Sequence, residues 1–113
     1  MDAIKAAKNQ AVSRDVNERI RHLDYAFPPT QFVCECARTD CRQIIPMSPD
    51  EYEEIRRRPD LFIVAPGNAH VFRDLERLFE TRPRYWVVEK FGEAAVEATR
   101  LDPRRDERGV SAG

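Results

Sequence analysis

Cys34, Cys36 and Cys41 are the only cysteines in the chain, and they fall within eight residues. This C-x-C-x4-C cluster constrains the fold more than any other feature. An odd number of thiols cannot build a disulfide framework, and a C-x-C disulfide would close a strained ring. The C-x-x-C at a helix start that lowers the pKa of a redox thiol is missing too. Residues 31–36 (QFVCEC) have strand composition, and residues i and i+2 of a strand share a face. Cys34 and Cys36 then stand side by side. The turn at 37–41 (ARTDC), where Thr39 and Asp40 can bond the local backbone, brings Cys41 back over them. Three thiolates suit Zn2+, which is tetrahedral, redox-inert and bound by sulfur at about 2.3 Å.

A fourth ligand is then needed, and the two histidines are His22 and His70. His70 follows the Pro66-Gly67 turn and is preferred, because metal ligands commonly lie on loops that the metal itself orders. His22 on a helix, a carboxylate and a water are the alternatives. Buried, inert thiols are the competing explanation, since cysteine is among the most buried residue types. The charged neighbours Glu35, Arg38, Asp40 and Arg42 speak against it.

The chain of 113 residues is 42% hydrophobic and 35% charged, enough for one small domain and a modest core. Its net charge of -1 and mean hydropathy of -0.64 argue against a membrane span and a strongly basic nucleic-acid binder. No apolar run approaches the ~20 residues a spanning helix needs. The start of the chain lacks the apolar region of a secretory signal, so a cytoplasmic location is expected. Sixteen arginines against three lysines hint at a GC-rich bacterial source.

Along the chain, Val12, Val16, Ile20, Leu23 and Phe27 form an apolar stripe at helical spacing, predicting a helix over 3–27 that packs by that face. Ser13 can cap its better half, leaving 1–12 as a loose lead-in, and Pro28-Pro29 end it. Short strands are expected at 31–36 and 43–46. Ser48, Pro49 and Glu51 make a capping box, with Met47 and Tyr52 as a hydrophobic staple. The helix that follows should bury Tyr52 and Ile55 and show Arg56, Arg57 and Arg58 to solvent. Residues 61–65 read as a buried strand and 85–90 (YWVVEK) as another. Residues 71–81 fit a helix or, preferred, a hairpin partner of 85–90 across Arg82-Pro83-Arg84. A short helical stretch follows Phe91-Gly92. The expected core includes Val16, Ile20, Leu23, Phe32, Ile44, Ile55, Phe62, Val64 and Val87. The domain should run over 13–98, with 99–113 a disordered charged tail.

Cys34-x-Cys36-x4-Cys41 locally resembles the zinc knuckle that follows SET domains, although nothing else here looks like a SET domain. More widely, Val16-Asn17-Glu18-Arg19, Phe32-Val33-Cys34-Glu35-Cys36, Cys41, Glu51-Tyr52, residues 62–67 (FIVAPG) and residues 85–90 are similar in order to a group of small uncharacterised bacterial proteins of actinobacterial type. In that group a histidine directly follows the Pro-Gly pair. Here Asn68 takes that place and His70 comes two residues later. The resemblance implies a zinc-knuckle-like α+β domain and no catalytic activity.

The sequence therefore predicts an α+β fold, an N-terminal helix packed on a small antiparallel sheet, with zinc held by Cys34, Cys36, Cys41 and His70. The expected function is a regulatory or protein-interaction module with structural zinc and a protein partner. A nucleic-acid-binding accessory role is the alternative, although Arg56–Arg58, Arg82, Arg84 and the arginines of the tail are largely offset by neighbouring acids. A zinc hydrolase, with Glu35 or Glu89 as base, ranks third. No P-loop, dinucleotide fingerprint or H-E-x-x-H is present, and no small-molecule substrate is indicated.

Overall fold

The computed structural model describes residues 2–23 and 29–105. Helix α1 (Ala3–Leu23) leads into a two-stranded hairpin, β1 (Thr30–Val33) and β2 (Ile44–Met47). Helix α2 (Pro49–Ile55) follows, then β3 (Leu61–Val64), a 3-10 turn (Asn68–His70), β4 (Glu76–Thr81), β5 (Trp86–Lys90) and α3 (Gly92–Arg100). β1 and β2 pair antiparallel, Thr30 opposite Met47 and Val33 opposite Ile44. The second sheet has the order β3-β5-β4, antiparallel throughout, with β5 in the centre. The architecture is α+β, with an N-terminal helix, antiparallel sheets and the Cys/His cluster near one another.

Local chemistry explains most elements. Ser48 Oγ accepts the Glu51 N–H at 3.1 Å while Glu51 Oε1 accepts the Ser48 N–H at 3.1 Å, so α2 starts on a complete capping box with Pro49 at its first position. Met47 and Tyr52 both enter the main core, and the Tyr52 ring stacks on Phe32 with centroids 4.4 Å apart. All four residues of β3 are buried, as a strand covered on both faces requires. Residues 76–81 form the hairpin with β5, shifted in register around Phe79. Tyr85 is buried, and Trp86 packs on the core from its margin.

α1 departs from the expectation. It is helical from Ala3, so residues 3–12 are part of the domain and no loose lead-in. Most of its apolar stripe faces outward, with Val12 65% exposed, Leu23 67% and Val16 39%, while half-buried Ile20 packs against the main core as expected. The buried face is Ala6, Ala7, Gln10, Arg14 and Asn17. The reason lies in what the helix meets. In the β3–β5 pair, Leu61 and Ile63 turn their amides and carbonyls away from β5, leaving an edge that needs partners. Arg14 Nη2 donates to Leu61 O and Nη1 to Pro59 O at 2.9 Å, with its guanidinium 3.5 Å over the Phe62 ring. Asn17 Nδ2 donates to Val33 O and its Oδ1 accepts the Val33 N–H, at 2.9 and 2.8 Å. Gln10 donates to Glu76, itself paired with buried Lys90 at 2.7 Å. Burial draws the Arg14 guanidinium down to about 10, with nearby Arg56 adding to the shift.

Further corrections follow from the same ion-pairing. Arg56 is not solvent-facing: it is 1% exposed and donates to Asp102 at 2.6 Å. The chain beyond 98 is no tail over its first stretch. Thr99 and Arg100 complete α3, Asp102 is buried, and Arg104 binds Glu18 and Glu53 at 2.7 and 2.8 Å. Ile44 is 51% exposed and leaves the expected core, whereas Phe32, Ile55, Phe62, Val64 and Val87 stay in it. Phe27 and residues 106–113 lie outside the described residues.

Candidate metal centre

β1 ends at Val33, so both of the first two cysteines lie just past the strand. The Cys34 N–H still bonds Gln43 O at 3.0 Å, but the Glu35 N–H turns to Ile63 O at 2.8 Å. At this step the chain leaves β2 for the edge of β3. The side chains keep their alternation. Cys34 and Cys36 point to one side, and Glu35 to the other.

Glu35 is fully buried and organises the turn from beneath. Its Oε1 accepts the Ile63 N–H at 3.1 Å, and its Oε2 accepts from Asn17 Nδ2 at 2.9 Å and Tyr52 O–H at 3.2 Å. One carboxylate thus ties the cysteine segment to α1, α2 and β3. Glu89 is held by Arg58 and Arg77. Both candidate bases are therefore engaged in ion pairs or hydrogen bonds of the fold.

On the other side, Cys34, Cys36, Cys41 and His70 bring one ligand atom each to within 4.8 Å of all the others. His70 arrives on the 3-10 turn after Gly67, whose φ of 127° is a conformation that glycine adopts without strain. His70 Nδ1 lies 3.7 Å from Cys34 Sγ and 3.7 Å from Cys41 Sγ. With a metal–sulfur bond of ~2.3 Å and a metal–nitrogen bond of ~2.05 Å, a tetrahedral nitrogen–sulfur edge is about 3.6 Å, so these separations are close to those a bound ion needs. His22 stays outside the cluster and lines a cleft with Glu18, Arg21, Glu53 and Arg104.

Backbone N–H groups converge on the sulfurs. The Ala65 N–H donates to Cys34 Sγ at 3.2 Å, the Arg38 N–H to Cys36 and the Gln43 N–H to Cys41. Such donors favour thiolates over thiols. The thiols also interact with one another. Cys34 hydrogen-bonds Cys36, which, with burial, pushes Cys34 well above the ordinary thiol range. That same bond draws Cys36 down to about 5, His70 and the Arg38 N–H helping and burial opposing. Burial chiefly raises Cys41. All three cysteines are free of disulfides, and the donor set is compatible with a metal ion.

Sequence reasoning brought the four donors together but missed their support. From sequence, Glu35 reads as a charged neighbour of the cysteines or a candidate base, and Asn17 only as part of the Val16–Arg19 motif. The available signal was the alternation itself, which sends the residue between two same-face cysteines into the core. No protein-family model matches the chain, and neither a curated protein nor a solved structure shows significant similarity to it. Among the described residues, no helix is long and apolar enough to cross a membrane.

Proposed function

We propose that the chain is a zinc-stabilised interaction module, in which Zn2+ is held by Cys34, Cys36, Cys41 and His70 and a protein partner is engaged elsewhere on the surface. The convergence of three thiols and one imidazole nitrogen within 4.8 Å carries this reading. Four protein donors fill a tetrahedral shell, the arrangement of structural rather than catalytic zinc. The similarity in motif order to the small bacterial proteins supports it, and a reducing cytoplasm suits free thiols. A protein partner fits the surface better than nucleic acid, because Arg56, Arg58, Arg82 and Arg104 are each paired with a carboxylate. Purified protein should contain one zinc per chain by elemental analysis, and a cobalt-substituted form should show thiolate-to-metal charge-transfer bands. Protein that is metal-free and melts identically with and without added zinc would overturn the reading.

A further inference from the structure

The outward face of α1 is the least explained surface of the molecule. Val12, Val16 and Leu23 stand exposed in one row, bordered by Ile20, which is half-buried against the main core and offers only its outer part to this face. Asp15 and Arg19 lie on the same exposed side, one turn apart, and among the described residues neither makes a hydrogen bond or ion pair. Elsewhere on the surface Arg21, Arg38, Arg58, Arg82 and Arg104 each find a carboxylate within the chain.

The row has an internal symmetry. Reversed about a point between residues 17 and 18, Val12 falls opposite Leu23. Within one residue of the same centre, Val16 falls opposite Ile20 and Asp15 opposite Arg19. Two such helices packed antiparallel would lay apolar side chains on apolar side chains and place each Asp15 beside the other copy's Arg19. A parallel pair would set Asp15 against Asp15 and Arg19 against Arg19, which repels.

We infer that a second copy of this chain covers the face, through an antiparallel, two-fold pairing of α1 with α1. The pairing is isologous, as a closed dimer requires, and is independent of the metal reading. A single short helix pair falls below the ~1,200 Å2 of standard interfaces, so association is weak, with Kd in roughly the micromolar range.

Sedimentation velocity on the metal-loaded full chain tests it. The apparent mass should rise with concentration from 13.1 kDa towards twice that value. Val16→Glu should stay a single chain throughout while its far-UV spectrum is unchanged. Asp15→Arg, at an exposed and unbonded site, should weaken association by about tenfold or more, and Asp15→Arg/Arg19→Asp should restore it to within about threefold. Wild type that remains a single chain up to about 1 mM overturns the inference, leaving the face for a different protein. So does association that ignores these variants, or a double exchange that behaves no better than the single one.

Discussion

The outer edge of β3 is fastened at its two ends by different chemistry. At the Ala65 end the partner is a sulfur: the Ala65 N–H donates to Cys34, which belongs to the four-donor cluster. At the Leu61 end the partner is a fixed side chain: Arg14 donates to Leu61 O and Pro59 O from the buried face of α1. Between them, Glu35 takes Ile63 from both directions, its backbone N–H donating to the Ile63 carbonyl and its side chain accepting the Ile63 N–H. Unpaired strand groups are costly to bury, and here the Leu61 carbonyl, both Ile63 groups and the Ala65 N–H are satisfied without a further strand. The α1 end is complete as folded, whereas on the proposed reading the knuckle end depends on a cation to keep three sulfurs together.

The largest expected effect follows from that dependence. Structural zinc sites contribute on the order of 10 kcal/mol of apparent binding energy at neutral pH, comparable with the whole stability of a small domain. Chelation, or Cys36→Ser, should lower the melting temperature by about 15 °C or more. Hydrogen exchange under chelation should speed up first over residues 34–41 and 65–71, while the amides around Leu61 remain protected by the α1 contact. Simultaneous loss at both ends would show that the two fastenings are one cooperative unit.

The thiols give that difference a pH dependence. Cys36, drawn down to about 5, is a thiolate at neutral pH, whereas the raised Cys34 and Cys41 keep their protons. Zinc binding near pH 7 should therefore release about two protons, rising towards about three as pH falls through 5 and Cys36 also becomes protonated. A depressed group stabilises the fold above its ordinary value of 9.0, and that contribution is lost as pH falls towards 5. The two raised thiols have the opposite sign, favouring the fold while protonated. Calorimetry in buffers of different ionisation enthalpy counts the protons; about three at pH 7 would mean that Cys36 is an ordinary thiol in the free site.

Glu35 bridges the two ends and should rank next. Glu35→Ala leaves the Ile63 N–H and Tyr52 O–H without their acceptor and removes one acceptor from Asn17 Nδ2, all in the interior. Each buried donor left unsatisfied costs about 1–3 kcal/mol, so the variant should lose about 3–5 kcal/mol in all. Urea unfolding of the zinc-loaded protein measures it. A loss below about 1 kcal/mol would mean that the knuckle and α1 are held independently of this carboxylate.

How far each region could be read from sequence follows the same division. The capping box of Ser48 and Glu51, the apolar run of β3 and the convergence of three cysteines with His70 all rest on short-range spacing or on residue chemistry. They appear in the structure as expected. The inward face of α1 was misread because hydrophobic periodicity assumes that a helix meets an apolar surface, and α1 meets a strand edge. Arg14 and Asn17 are inward because backbone groups at Pro59, Leu61 and Val33 need them, and Gln10 because it donates to buried Glu76. Arg56, Asp102 and Arg104 were misread for a related reason: their partners lie far away in sequence, so a charged run looked solvated.

The smallest effect is the sharpest test of this inverted helix. Val12 is 65% exposed, so Val12→Ser should change stability by no more than about 0.5 kcal/mol, measured at concentrations where the chain is single. Asn17→Ala removes both partners of Val33, its N–H donor's acceptor and its carbonyl's donor, and should cost about 1–3 kcal/mol despite deleting a polar side chain from a helix. A conventionally amphipathic α1 would give the reverse order, with Val12 costly and Asn17 tolerant. The sign of the difference between these two variants, read from paired urea curves, therefore decides which face of α1 holds the edge of the sheet. If Val12→Ser is the more costly, the polar fastening described for the Leu61 end fails, and the contrast with the knuckle fails with it.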